Sequence, residues 1–346
     1  MNYRDTLMYK EIREQPEALR NAARANAGAL KKLAAAIGEF EPAGVYLAAR
    51  GTSDHAGVYF KYLAETVWGL PVAFAAPSVV SLYGGRLDLS GHLVIAVSQS
   101  GKAADALEVI RRGKEDGALT VSVTNDEGSP LAKEADHHLF CAAGEEKSVA
   151  ATKTFTTEAL LLALLAAAVT GGKTLDGELA AAPGLAAAAL NLEPEIEKAA
   201  LRFIDDRDCY VLGRGMAYGA VLEASLKLQE TSYLRAKSYA SSDFQHGPFA
   251  VMDKGTKAVL LAPADESLPG SLEMLAKLTA VGADVTVITD APEITGGNVL
   301  RVALSGRYTF LFAAAPVLQL LACTLSCAKG IGPDAPRGLN KVTITK

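Results

Sequence analysis

The 346-residue sequence predicts an α/β protein made of two copies of one unit, each a parallel sheet covered by helices on both faces. Three observations predict it. Short apolar runs alternate with longer segments of helical periodicity, the pattern of strands buried on both faces. The pattern then repeats: "GVYLAARG" (44–51) is echoed by "CYVLGRG" (209–215), and the Arg-Gly pair at 50/51 returns at 214/215, 164 positions on. The length, finally, exceeds what one average core supports.

Taken in order, residues 6–38 have helical periodicity and few breakers. "GVYLAAR" (44–50) reads as a strand, followed by the helical "HAGVYFKYLAETVWG". "HLVIAVSQSG" (92–101) is a second strand running into a Ser/Gly turn, with the helix "AADALEVIRRGKEDG" after it. "LTVSVTND" (119–126) and "HHLFCAA" (137–143) are further strands, and an apolar helix runs from about Thr152 to Val169. Residues 170–195 are rich in Gly, Pro and Ala, which places a boundary near 190: a first domain over 1–190, and a second over 191–346 that ends in a tail. In the second half "KAVLLAPADESLPGSLEMLAKL" echoes "HLVIAVSQSGKAADALEVIRRG", and "ADVTVITD" echoes "LTVSVTND".

Composition narrows the function classes. Half the residues are hydrophobic and 21 % are charged, a globular balance. The net charge of -5, with the 34 basic residues scattered, argues against a nucleic-acid surface. The charged, amphipathic N-terminus is unlike a secretory signal. Of the apolar runs, 159–169 is short for a bilayer and 310–323 carries Pro316 and Gln319, so both read as buried helices and no membrane is expected. Cys141, Cys209, Cys323 and Cys327 are dispersed in apolar surroundings, the usage of free thiols in a reducing cytoplasm. No ligand cluster surrounds the Cys323/Cys327 pair, and neither a dinucleotide nor a triphosphate loop motif is present, so no metal or cofactor is expected.

In open parallel sheets ligands sit at the carboxyl ends of the strands, which directs attention to 51–54, 98–101 and 213–215. "SQSG" places hydroxyls, an amide and a flexible glycine at a helix N-terminus, where unpaired N–H groups and the helix dipole receive a phosphate. "RGTSD" repeats that arrangement. Plain N-capping explains either turn alone; two at one rim favour phosphate. Glu223, Lys227 and Glu230 share one helix face. They form either a routine exposed pair worth a few tenths of a kcal/mol or an acid/base group, since the helix follows "LGRG" and its flanks are small and apolar. His246, before Gly247-Pro248, is either a turn histidine or a fixed acid/base group, and pattern alone does not choose. The tail "PDAPRGLNKVTITK" reads as frayed, unless its lysine is carried over a site as a Schiff-base nucleophile.

The ordered set "RGTS", "SQSG", "VAATKTFTTE", "LGRG", "VLEASLKLQE", "DFQHGP" and "PRGLNK", spread over 50–341, resembles the double sugar-isomerase (SIS) domain family. Within it, the set is similar to the isomerase half of glutamine–fructose-6-phosphate amidotransferase. The resemblance implies two tandem SIS domains, each a flavodoxin-like three-layer sandwich, and a homodimer acting on a small-molecule sugar phosphate. It implies that Ser53, Ser98, Gln99 and Ser100 bind the phosphate, with Thr52 beside it, and that Val149 meets the sugar through its backbone. It implies that Glu230 moves the proton between C1 and C2, supported by Glu223 and Lys227. His246 would open the ring, from a neighbouring subunit, and Lys341 would form a Schiff base with the ketose.

The chain departs from the family pattern at Lys102, where an acid is usual, and at Ala103 and Ala151, where the family carries a threonine and a serine. It opens Met1-Asn2-Tyr3, without the N-terminal cysteine of the synthase's glutaminase domain. The expected activity is therefore that of the stand-alone relatives: glucosamine-6-phosphate deamination, with a fructosamine-6-phosphate deglycase or an aldose–ketose isomerase as alternatives. A non-catalytic sugar-phosphate sensor is the alternative of another class; it needs the phosphate turns but not Glu230, His246 and Lys341 together.

Overall fold

The computed structural model describes residues 1–341. Two five-stranded, all-parallel sheets form. The first contains β1 (Gly44–Ala48), β2 (Val72–Phe74), β3 (His92–Val97), β4 (Leu119–Thr124) and β5 (His137–Phe140), in the order β2-β1-β3-β4-β5. The second contains β6 (Asp208–Gly213), β7 (Arg235–Ala240), β8 (Lys257–Ala262), β9 (Asp284–Thr289) and β10 (Val299–Arg301), in the order β10-β9-β8-β6-β7. Read from the β7 edge, this is the same 2-1-3-4-5 winding, and every strand start recurs within two residues of the 164-residue offset. The central strands are buried along almost their whole length, as apolar runs covered on both faces require.

Three strands escape the sequence pattern. β2 and β10 have three residues each, too few to show a period. β7, "RAKSYA", lies inside the stretch read as leaving a helix, yet it begins Arg-Ala-Lys with Ala236 buried and Arg235 and Lys237 exposed. That is the alternation of an edge strand, and exposed cations are a common way to blunt an edge.

The chain divides into two compact units. One holds Met1–Pro16, Lys147–Thr152 and Ala181–Leu339; the other holds Glu17–Glu146, Lys153–Ala180 and, from the tail, Asn340 and Lys341. In the unit of the first sheet, helix Thr52–Val67 packs on helix Lys153–Thr170. Gly57 lets the former approach the sheet, since a Cβ there would stand 2.7 Å from Leu47 Cδ2. In the unit of the second sheet, helix Tyr218–Ser232 packs on helix Phe310–Ala328. Helices Lys153–Thr170 and Phe310–Ala328 are long and apolar enough to cross a membrane, but each is largely or wholly buried inside the fold. The Gly/Pro/Ala-rich stretch folds as helices Lys173–Leu179, Ala182–Ala189 and Glu193–Leu201, with Pro183 and Pro194 in first-turn positions that tolerate proline.

Candidate functional site

In a 2-1-3-4-5 sheet the order reverses between the first and third strands, and the crevice at their carboxyl ends is where ligands bind. In the first sheet that crevice is formed by the turns after β1 and β3. Gly51, at φ +54°, turns the chain from β1 into helix Thr52–Val67. The turn after β3 is closed by the Gly101 N–H donating to the Ser98 carbonyl at 3.0 Å. The Asn125 N–H donates to the Gln99 carbonyl at 3.0 Å, which fixes this turn to the end of β4. Ser98, Gln99 and Ser100 are half-buried and face the rim; Thr52 is half-buried and Ser53 buried. Gly101 is required here: its φ is +62°, and a Cβ would stand 2.1 Å from Ser129 Oγ.

Three further contacts shape this rim. Arg50 Nε donates to Asp105 Oδ2 at 2.8 Å, and Asp105 is buried in the first turn of helix Ala104–Glu115. One ion pair thereby ties the two turns together. Ser53 Oγ donates to Glu158 Oε1 at 3.1 Å, with Glu158 fully buried. Asp54, next in the turn, has its carboxyl held above the usual range by burial, although His55 and Arg50 pull the other way. Ala103 occupies the N-cap of helix Ala104–Glu115 in an extended conformation without a side-chain cap.

Beside this rim is a pocket of about 320 Å³ lined by Gln99, Asn125, Phe140, Gly144, Glu145 and Glu146. Asn125 builds its wall: its Nδ2 donates to the Gly144 carbonyl at 2.8 Å and its Oδ1 accepts the Ala143 N–H at 3.0 Å. Lys341 reaches the same wall, with Nζ 2.9 Å from Glu146 Oε2. The tail lysine is thus bonded to a pocket shared with Gln99.

In the unit of the second sheet, Glu223, Lys227 and Glu230 meet on helix Tyr218–Ser232. Lys227 Nζ lies 2.6 Å from Glu230 Oε2 and 3.4 Å from Glu223 Oε1. The lysine side chain is 1 % exposed and those of Glu223 and Glu230 are 3 % and 21 %, so this is not a solvated pair. Burial is the largest single influence on Lys227 and lowers its pKa, but the two carboxylates outweigh it and the net shift is upward. The ammonium therefore stays charged and holds Glu230 in place. His246 is exposed in the turn after the short helix Ser241–Phe244, its N–H donating to the Asp243 carbonyl at 3.0 Å. Among the described residues, no hydrogen bond or ion pair joins it to the Glu223–Lys227–Glu230 cluster. The Val149 N–H donates to the Asp334 carbonyl at 3.2 Å. Cys141, Cys209, Cys323 and Cys327 are free and buried, and among the described residues no group of three or more His, Cys, Asp and Glu could hold a metal.

Sequence reasoning missed Asp105, Glu146, Glu158 and Asn125. "AGEEK" looks like a solvated acidic run, and nothing in it separates exposed Glu145 from buried Glu146. The echo of the two halves does single out the Arg50 turn.

Comparison with known proteins is consistent along the chain. The SIS domain model matches residues 41–168 and 202–295. A glutamine–fructose-6-phosphate aminotransferase (isomerizing) of Aeropyrum pernix is 37 % identical over 361 residues, an alignment that takes in 98 % of this chain and 57 % of the relative. This chain thus spans little more than half the length of such relatives. Among solved structures, a protein from Silicibacter pomeroyi assigned as a phosphosugar isomerase superposes with a TM-score of 0.88 at 36 % identity, covering 95 % of this chain and all of the other. The C-terminal domain of a glucosamine–fructose-6-phosphate aminotransferase from Francisella tularensis gives 0.87 at 31 % identity, covering 96 % of this chain and 98 % of that domain.

Proposed function

The chain belongs to the SIS domain family, with two SIS repeats, and from that premise we propose that it is an aminosugar-phosphate deaminase of this family. It converts glucosamine 6-phosphate and water to fructose 6-phosphate and ammonia. Ser98, Gln99, Ser100 and Ser53 receive the phosphate, with Thr52 beside them and Val149 offering its carbonyl to the sugar. His246 assists ring opening. Glu230, held by Lys227 with Glu223 behind it, carries the proton from C2 to C1 and leaves an imine at C2. Lys341 takes over that imine as a Schiff base, ammonia leaves, and water releases the ketose. His246 is exposed, and the proposal includes a homodimer in which it serves a neighbouring subunit.

One observation carries the enzyme reading over a sugar-phosphate sensor: the tail lysine is bonded to a buried carboxylate of the pocket that Gln99 also lines. A lysine ammonium can also bind phosphate, but this one is paired at 2.9 Å with a buried carboxylate, an arrangement that supports acid/base work at the amine. The same proton transfer also serves a fructosamine 6-phosphate or a plain aldose–ketose exchange. The test is incubation of the chain with glucosamine 6-phosphate and assay of ammonia and fructose 6-phosphate. With no ammonia supplied, water is the available partner of the imine, so the deaminating direction is the one observed. Ammonia release with wild type, and loss of about a hundredfold or more in rate with Glu230→Gln, is expected. Product formation from a fructosamine phosphate alone moves the substrate assignment. An unchanged rate in Glu230→Gln ends the proton-transfer assignment.

A further inference from the structure

We propose that Glu146 is the positioning residue of Lys341: it sets the tail lysine at the pocket and takes the proton its ammonium must lose before the amine can attack a carbonyl. The inference rests on the Schiff-base role given to Lys341 above.

Three features carry it. The Glu146 side chain is 0 % exposed, although its neighbours Gly144, Glu145 and Lys147 are all exposed. A carboxylate is withdrawn from water only against compensating bonds. Two of these come from the start of helix Lys153–Thr170: the Thr154 N–H donates to Oε1 at 3.1 Å, and Thr154 Oγ1 donates to Oε2 at 2.7 Å. They lock the rotamer and leave Oε2 directed at Lys341 Nζ, 2.9 Å away. Third, the lysine side chain keeps 24 % exposure while its partner has none, so the pair sits at the edge of the buried region with the lysine on the open side. An ion pair to a buried, hydrogen-bonded carboxylate places one nitrogen reproducibly.

The chemistry balances without another reagent. The Lys341 ammonium passes one proton to the Glu146 carboxylate. The freed amine forms its N–C bond at C2 of the open-chain ketose, and the carbonyl π pair moves to oxygen. An amine proton moves to that oxygen, giving the carbinolamine. Glu146 returns its proton to the hydroxyl, the C–O bond breaks, and water leaves the protonated Schiff base. The carboxylate ends as it began, and the charge of the ammonium has become that of the iminium.

The test is reductive trapping. Each protein is mixed with fructose 6-phosphate and borohydride over a pH series, and the adduct at Lys341 is quantified by mass spectrometry of the tail peptide. Inorganic phosphate affinity is measured alongside by calorimetry. Wild type is expected to yield the adduct. Glu146→Gln, which keeps the size and can still bond Thr154, is expected to trap roughly a hundredfold more slowly at neutral pH. Its rate should climb with pH, because solvent must then remove the lysine proton, while phosphate affinity stays within about twofold. Glu146→Asp retains a carboxylate at shorter reach and should fall between the two, which keeps the test decisive should the glutamine variant fold poorly. Trapping by both variants at the wild-type rate and with the wild-type pH profile would overturn the role of Glu146 and leave Lys341's intact. A wild-type protein that turns over substrate yet never yields an adduct at Lys341 would overturn the Schiff-base role, and this inference with it.

Discussion

Replacing Lys227 by methionine removes the cation from between two carboxylates while nearly conserving volume. Glu230 loses its partner at 2.6 Å and Glu223 its partner at 3.4 Å, and Glu223 is almost fully buried. Removing one member of a buried ion pair costs about 3–5 kcal/mol, because the uncompensated charge stays buried. Glu230 retains 21 % side-chain exposure and can recover part of its solvation, which favours the lower half of that range. Against a typical domain stability of about 5–15 kcal/mol such a loss is large. It is expected to lower the melting temperature by roughly 6–15 °C at about 2–4 °C per kcal/mol. The assay is differential scanning calorimetry with urea titration followed by the far-UV signal, since the single tryptophan, Trp68, lies in the other unit. If the two units unfold in separate transitions, the one containing helix Tyr218–Ser232 is the one that moves. The triple change Glu223→Gln, Lys227→Met, Glu230→Gln removes every charge and should regain most of the loss. In wild type the raised Lys227 pKa gives a stability contribution that is complete below the unfolded lysine value and is lost as pH rises through the folded value. Methionine should therefore flatten the alkaline limb of the stability curve. A methionine variant within about 1 kcal/mol of wild type would refute the buried-triad reasoning.

Other changes test the rim of the first sheet and its support. Ala103→Thr places a capping hydroxyl at an extended, uncapped N-cap, and should raise stability by about 0.5–1 kcal/mol in urea titrations; no gain would show that the Ala103 backbone does not cap. Gly101→Ala should cost upwards of about 1–2 kcal/mol from positive φ alone, with part of the added clash relieved by Ser129→Gly; a neutral alanine would contradict the turn geometry. His138 Nε2 lies 2.9 Å from Thr124 Oγ1, and burial depresses its pKa. The unfolded chain therefore binds that proton first, and stability should fall as pH drops below about 6.5 toward the folded value. His138→Asn should remove that acid slope in pH-dependent melts.

Much of the fold was legible because central strands of parallel sheets announce themselves as apolar runs. The echo of "GVYLAARG" in "CYVLGRG" carried the duplication, and the second sheet winds as the first does. Edge strands β2 and β10 were hidden by brevity, and β7 by sitting within a segment whose charges drew attention as a helix. Around the candidate site, residues placed by local geometry were readable: hydroxyls and glycine at strand ends, and charges at i, i+4 and i+7. Residues placed by long-range packing were not. Glu158 joins Ser53 across 105 positions, Asp105 joins Arg50 across 55, and Lys341 joins Glu146 across 195. No periodicity encodes those distances, and each of the acids would be read from its neighbours as an ordinary helix or loop residue.

The duplication also explains why the proposal assigns phosphate to one rim only. Gly215, at φ +63°, repeats the turn of Gly51, so the backbone device survives in both units. The chemistry at the next turn does not. Where the first sheet has Ser98-Gln99-Ser100-Gly101 after β3, the second has Pro263-Ala264-Asp265-Glu266 after β8. Asp265 bonds Ser267 through Oδ1, accepting its N–H at 2.8 Å and its hydroxyl at 2.6 Å, so its carboxylate consumes the donors a phosphate would need. Burial holds the Asp265 carboxyl above its usual range, and Glu266 and Asp290 press it further the same way. A dianion brought to that turn would meet three acids in place of hydroxyls, and like charges at contact distance disfavour it strongly. The second unit contributes instead the one element that the first unit's corresponding helix lacks. Helix Thr52–Val67 follows its rim with no buried lysine, whereas helix Tyr218–Ser232 carries Lys227 between Glu223 and Glu230. Of the two units, one thus carries the hydroxyl turn, and the other carries acids at the matching turn together with the Glu223–Lys227–Glu230 cluster.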